Sequence, residues 1–283
     1  MLDDVTGWLR CPHCGAAMAT AERTLRCGAG HSFDIARQGY VSLLQPGVRG
    51  SGGDTAAMVR ARQEFLATGQ YAPVAAALAD AAARAWRPGP DAPGCVADVG
   101  AGTGYYLAAV LERLPGAAGL ALDLSRYALR QAARAHERIG AVGCDAWRPL
   151  PVGDAAAGVV LNVFAPRDGA ELRRILRPDG VLLMVTPAEG HLAELTRPLG
   201  LLGVDERKRE RLGDKLGPHF GLETEHELRG VMTLGRRDVA ALTAMGPSAW
   251  HADRQEMAAR IAGLPDPVAV TRAVTLMVLR PRP

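Results

Sequence analysis

From residue 95 to the C-terminus, short apolar runs alternate with stretches whose apolar residues recur at helical spacing. CVADVGAGTG reads as a strand entering a glycine loop, YYLAAVLERL as a helix, GLALD as a strand, SRYALRQAARAHER as a helix with Ser125 as N-cap, and GAVGCD as a strand. AAGVVLNVF, DGAELRRIL and VLLMVTP repeat strand, helix, strand, with RPDG as a turn before the last. Residues from about 188 to 217 read as a polar, helical insertion containing DERKRERLGDK. HFGLETEHEL and AVTRAVTLMVL close the pattern as two more strands, separated by the helices RRDVAALTAM and HADRQEMAARIAGL. This alternation predicts an α/β fold in which a doubly wound, seven-stranded sheet is covered by helices on both faces.

The first third of the chain follows another rhythm. TAAMVRARQEFLATG places Met58, Val59, Arg62, Phe65 and Leu66 at helical spacing behind Asp54 or Thr55 as cap. A second helix is predicted from Tyr71, with Pro73 in its first turn, to Trp86. QPGVRGSGGD and RPGPDAPG interrupt the chain on either side, the first as a linker or substrate-facing loop. SFDIARQGYVSLL reads as a short strand or hairpin packing on what precedes it. Three regions result: residues 1–50 as a small module, 51–94 as a helical linker region, and 95–283 as the main domain with its insertion.

Composition narrows the class without naming a function. An apolar fraction of 48% over 283 residues supports a large core, and a formal charge of +3 is too small to announce nucleic acid by bulk electrostatics. No apolar run reaches the roughly 18 residues of a membrane span, and MLDDVTGWLR lacks the regions of a signal peptide. The expectation is a cytoplasmic protein without a membrane partner. Five cysteines, with Cys95 and Cys144 in strand-like runs, argue for reduced thiols.

The remaining three cysteines stand in CPHCGAAMATAERTLRCGAGH, giving C-x2-C and C-x3-H from Cys11, Cys14, Cys27 and His31. Thiolates with one imidazole, in two pairs bent back by glycines, match the closed tetrahedral shell of structural zinc. Iron–sulfur sites favour four cysteines, and His13 is the one neighbour able to replace a ligand. A piece of about 40 residues cannot order itself by burial alone, so the metal would fold it.

Asp98-Val99-Gly100-Ala101-Gly102-Thr103-Gly104 joins a strand end to a glycine loop, as nucleoside cofactors require. A dinucleotide site wants G-x-G-x-x-G; here the spacing is G-x-G-x-G, with an acid two positions ahead that repels a pyrophosphate but accepts from an ammonium. S-adenosylmethionine is favoured over NAD. Asp123 ends the second strand, where a carboxylate can accept both ribose hydroxyls, and Asp145 closes the third near the adenine amino group. For each carboxylate a helix cap or solvated strand end is the simpler alternative.

DVGAGTGYY, ALDLS and LRPDGVLL resemble the class I S-adenosylmethionine-dependent methyltransferases. The opening Cys/His motif taken together with FDIARQGYVSLL, GDTAAMVRARQEFLATGQY, VFAP, TPAEGHL and MGPSAW resembles the 23S rRNA guanine-N1 methyltransferases, a family of housekeeping and macrolide-resistance enzymes. The resemblance implies zinc at Cys11, Cys14, Cys27 and His31, and cofactor contacts at Tyr71, Ala101, Gly102 and His191. It implies methylation of a guanine in a 23S rRNA hairpin loop, gripped outside the pocket by the zinc module. Arg23, Arg26, Arg37, Arg49, Arg60 and Arg62, with Arg207, Lys208, Arg209 and Arg211 on the insertion, are candidate phosphate contacts. Asn162 and Phe164, after the fourth strand, are candidates to hydrogen-bond and stack the base, and Trp250 with His251 to close its pocket. No residue stands out as general base. Two alternatives remain: a small-molecule C- or O-methyltransferase whose zinc piece serves stability or a homodimer, and a nonenzymatic RNA-binding factor. On the first reading, loss of zinc through Cys11→Ser leaves cofactor affinity within a few fold.

Overall fold

The computed structural model describes residues 2–44, 53–87, 94–201, 214–246 and 253–283. Arg49, the insertion residues Arg207, Lys208, Arg209 and Arg211, and Trp250 with His251 lie outside them.

The chain opens with a single helical turn, α1 (Leu2–Val5), which buries Leu2 and Val5. A small antiparallel sheet follows, β1 (Met18–Ala21), β2 (Thr24–Cys27) and β3 (Ser32–Asp34). The predicted strand or hairpin at SFDIARQGYVSLL divides between two sheets. Ser32–Asp34 completes the small one, whereas β4 (Tyr40–Ser42) runs parallel to a strand of the main domain, with Val41 opposite Val142. Among the described residues the main sheet therefore has eight strands, not seven. The addition has a physical cause: Val41 is fully buried there, and the edge it covers would otherwise present unpaired backbone.

Two helices come next, α2 (Ala56–Ala67), capped by Thr55, and α3 (Ala72–Ala85), with Tyr71 as N-cap and Trp86 as C-cap. The expected alternation then unfolds as β5 (Cys95–Val99), α4 (Tyr105–Arg113), β6 (Ala118–Asp123), α5 (Arg126–Ala135), β7 (Ile139–Gly143), β8 (Ala157–Val163), α6 (Gly169–Ile175) and β9 (Leu176–Pro187). After α7 (Ala193–Leu199) come β10 (Phe220–Leu234), α8 (Arg236–Ala244), α9 (Arg254–Ala262) and β11 (Val268–Pro281). The sheet order is β10-β11-β9-β8-β5-β6-β7-β4, parallel from β9 to β4, with β11 antiparallel to both of its neighbours.

Two local expectations change. RPDG is an irregularity inside β9: that strand advances from Leu176 to Val181 while β8 advances only from Ala157 to Val159. Helix α5 stops at Ala135, because His136 is already extended.

Alternate residues of the central strands feed two cores. Val96, Ala121, Ala141, Val159 and Leu161 face α3, α4 and α5. Cys95, Ala97, Leu120, Leu122 and Val142 face α1, Leu9, Met18, Leu25 and α6. The N-terminal region is thus one cover of the main sheet. A third cluster joins α2, α7, α8 and α9 over the ends of β10 and β11.

Candidate active site and metal centre

The two knuckles are built by their own backbones. The Gly15 amide donates to the Cys11 carbonyl at 2.8 Å and the Gly30 amide to the Cys27 carbonyl at 3.0 Å, turning each pair back on itself. Cys11, Cys14, Cys27 and His31 place their ligand atoms within 4.8 Å of one another. Cys14 Sγ and Cys27 Sγ are 3.7 Å apart, and His31 Nδ1 lies 3.5 Å from Cys11 Sγ and 3.4 Å from Cys27 Sγ. A tetrahedral zinc with ordinary bond lengths has ligand–ligand edges of about 3.8 Å between sulfurs and about 3.6 Å from sulfur to nitrogen. The donor set and its spacing fit zinc through Nδ1 of the histidine. His13 stays outside the cluster, exposed, with its ring stacked 5.7 Å from Phe33.

A cavity of about 490 Å³ opens where β5, β6, β7 and β8 end. Gly100, Ala101 and Gly102 form its floor. The Gly100 and Ala101 amides both donate to the Leu122 carbonyl, at 2.8 and 3.1 Å, pinning the loop to β6. Gly100 has φ +80, and a Cβ there would stand 2.4 Å from that of Ala165, so side chain and backbone both demand glycine. Gly104 lies outside the cavity: it caps α4 where a Cβ would meet Ala132 Cα of α5 at 3.0 Å.

Asp98 is 1% exposed, and its Oδ1 has no hydrogen-bond partner among the described residues. Burial first, and the neighbouring Asp123 second, push its carboxyl up to about 8. Asp123 accepts from the Gly102 and Ser125 amides, each at 2.8 Å, and so ties the loop to the start of α5. Asp145 lines the cavity and accepts from the Trp147 amide at 3.0 Å. Asp98, Asp123 and Asp145 thus converge on one space, as their positions at strand ends predict. An orphaned buried acceptor beside a glycine cradle fits a ligand that brings an ammonium and a nucleoside.

Tyr71 and Phe164 form the other wall, ring centroids 6.1 Å apart. Phe164 is 39% exposed and has φ +53, uncommon for a residue other than glycine. His191 does not line the cavity. It stands behind Tyr71, with Nε2 3.2 Å from the Tyr71 hydroxyl, and its Nδ1 accepts from the Ala273 amide at 3.2 Å. Because a backbone amide only donates, the neutral ring carries its proton on Nε2 and donates to Tyr71. Burial pushes His191 down to about 4, which keeps the ring neutral, and burial raises the Tyr71 phenol.

Asn162 is fully buried beneath the site rather than at its rim. Its Nδ2 donates to the Val99 and Pro166 carbonyls, both at 3.1 Å, clamping the end of β5 to the turn that carries Phe164.

The sequence assigns Asp54 only a capping role, Arg62 a place at helical spacing and a phosphate contact, and Tyr105, Tyr106 and Trp147 no site role; all five line the cavity. Trp147 is 61% exposed, with the Lys215 ammonium 5.8 Å from its ring centroid. The available signal was adjacency: Tyr105 and Tyr106 follow the glycine loop, and Trp147 follows Asp145 by two residues. Among the described residues, no helix is long and apolar enough to cross a membrane.

Two family models match separate parts of the chain. A family model described as the N-terminal zinc ribbon of RlmA matches residues 9–46, and one described as a methyltransferase domain matches residues 97–184. The 23S rRNA (guanine(748)-N(1))-methyltransferase of Streptomyces fradiae is 50% identical over 283 residues, covering 100% of both chains. A Micromonospora griseorubida protein provisionally assigned as a 23S rRNA (guanine-N(1)-)-methyltransferase is 53% identical over 295 residues, 99% of this chain and 100% of its own. A Bacillus subtilis (strain 168) protein with the same provisional assignment is 31% identical over 258 residues, 88% of this chain and 89% of its own. With relatives 50 and 53% identical over essentially the whole chain, the chain belongs to the 23S rRNA (guanine-N1)-methyltransferase family.

Proposed function

We propose that the chain transfers the methyl group of S-adenosylmethionine to N1 of a guanine in a hairpin loop of 23S rRNA. The observation that carries this reading is the end-to-end match, at 50% identity, to the Streptomyces fradiae enzyme, whose stated target is guanine 748. We assign the same guanine to this chain, with reduced macrolide sensitivity as the physiological consequence. The cavity agrees with that reading. Its acid-lined end suits a nucleoside carrying an ammonium, and its aromatic end opens to solvent, as a splayed-out base requires.

When bound, S-adenosylmethionine supplies a methyl group on a sulfonium, an electrophile that needs little activation. The residues of the chain then align and desolvate. Gly100 and Gly102 let the backbone approach the nucleoside, Asp123 accepts from the ribose with the lone pairs its two backbone contacts leave free, and Asp98 accepts from the ammonium. Asp145 meets the adenine edge beside Trp147. Phe164 stacks on the guanine, Asn162 positions Phe164 by holding its turn, and His191 positions the Tyr71 hydroxyl. No general base is assigned. His191, held near a pKa of about 4 and engaged at both nitrogens, is not poised to accept a proton at neutral pH. Cys11, Cys14, Cys27 and His31 hold the metal of the ribbon, and the exposed Arg23, Arg26 and Arg37 beside it contact RNA phosphates.

The test is to incubate the zinc-loaded protein with isotopically labelled cofactor, unmodified 23S rRNA or ribosomal particles, and a metabolite extract. Mass mapping of nuclease fragments should find one methyl group on one hairpin-loop guanine, blocked at its N1. Label found only in small molecules overturns the proposal.

A further inference from the structure

We infer that Arg62 is the clamp for the carboxylate of the cofactor's methionine end, an assignment that rests on the reading of the cavity as an S-adenosylmethionine site. Among the described residues that line that cavity are four carboxylates, Asp54, Asp98, Asp123 and Asp145, and one lysine or arginine, Arg62. The proposed ligand carries two positive groups, a sulfonium and an ammonium, and a single carboxylate. An acid-rich lining suits the first two. The third meets only like charge unless a guanidinium stands beside it.

Arg62 stands where that need arises. A Cβ on Gly102, on the cradle itself, would lie 3.5 Å from its Nη1. Arg62 and Asp98, whose Oδ1 is the orphaned acceptor, line the same cavity. Solvent reaches little of Arg62: the side chain is 26% exposed.

The side chain is also held in place before any ligand arrives. Nη1 is ion-paired with Asp54, and Nη2 donates to the Met245 carbonyl at 2.9 Å. Asp54 is anchored in turn, its carbonyl accepting from the Ser125 hydroxyl at 2.6 Å. Behind Arg62, α2 buries Met58, Val59, Phe65 and Leu66. A guanidinium has five N–H donors, so two anchors leave donors free for a bidentate contact. Fixing the fork in advance removes much of the ordering cost that a free arginine would carry into the complex. The sequence groups this residue both with candidate phosphate contacts and, by helical spacing, with the apolar positions of α2; the fold follows the spacing and sets it at the cavity.

The experiment compares S-adenosylmethionine with its decarboxylated analogue, which keeps the amine and sulfonium and lacks only the carboxylate. Titration calorimetry on the wild-type protein and on Arg62→Ala reads both affinities. Removing a charge-assisted hydrogen bond should weaken S-adenosylmethionine on the order of 10- to 100-fold, while the analogue changes by less than about threefold or binds tighter. Arg62→Gln, which keeps a polar side chain and most of the stem but not the charge, repeats the comparison if the alanine variant does not fold. Equal losses for both ligands, or no loss for either, overturn the assignment. A wild-type protein that binds neither ligand overturns instead the cofactor reading beneath it.

Discussion

Asp98 concentrates the tension of the site in one side chain, a carboxyl with 1% exposure and one oxygen without a partner. In the unfolded chain it titrates near 3.8 and in the fold near 8, so the fold holds its proton more tightly. Its contribution to stability is therefore complete below 3.8 and is lost as the pH rises toward 8. Asp98→Asn should flatten the decline in Tm of ligand-free protein across that window. Scanning calorimetry at several pH values checks it, and parallel slopes for the two proteins count against the buried acid. Binding of a cofactor ammonium at neutral pH should also release a proton in the wild type and none in the variant, measurable from the buffer dependence of the binding heat. Gly100 gives a second prediction. Gly100→Ala should cost about 1–3 kcal/mol in backbone strain alone, plus the clash with Ala165. Adding Ala165→Gly should recover only the clash, as read by urea unfolding. Asp98 and Gly100 were legible because their spacing in one short loop encodes the chemistry, and Asp123 because it closes the next strand. The place of His191 was not: only the fold brings it to the back of Tyr71 across 120 positions of chain.

Among the elements, helix ends show where local reading succeeds and where it stops. Ser125, Asp168 and Thr55 each accept from an amide in the first turn of the following helix, at α5, α6 and α2. At the C-terminus of α4 the local bonds, from the Leu114 amide to the Leu111 carbonyl and the Ala117 amide to the Leu114 carbonyl, are supplemented by a distant side chain. Arg138, from the loop before β7, donates to the Leu111, Leu114 and Ala117 carbonyls at 2.5 to 2.6 Å. Arg138→Ala should destabilise the protein by about 1–3 kcal/mol, since carbonyls lose a charged donor there, with cofactor affinity nearly unchanged. Urea unfolding beside a ligand titration separates the two effects. A change within about 0.5 kcal/mol, ordinary for surface positions, would make the contact incidental. Helix α5 was expected to include Arg138; ending it at Ala135 releases that side chain for α4. Strand β4 was misplaced for a related reason, since nothing in Tyr40–Ser42 identifies β7 as its partner.

At the scale of the molecule, the zinc ribbon and the main sheet share one buried cluster. It runs from Leu2, Val5 and Leu9 through Cys11, Met18, Leu25 and Cys27 to Cys95, Leu120, Leu122 and Val142. Backbone pairing reinforces the joint: the Arg10 amide donates to the Pro151 carbonyl at 2.9 Å and the Gly153 amide to the Trp8 carbonyl at 2.8 Å. Removing the metal should therefore weaken the cofactor site as well as the RNA grip, contrary to what a self-contained handle implies. Cys14→Ser, or a strong chelator, should lower the Tm of the whole chain in one cooperative transition and reduce cofactor affinity along with it. Two separate transitions, with the cofactor site unaffected, would restore the picture of an independent module. The sequence by itself determined the metal ligands, the alternation of strands and helices, the glycine cradle and the acids at the strand ends, because each is written in neighbouring residues. The tertiary structure alone decided that the ribbon forms one cover of the sheet, that Asn162 and His191 stand behind the cavity, and that Arg62 faces into it. These depend on which surfaces, far apart along the chain, bury one another, and burial is a property of the assembled core rather than of any short stretch.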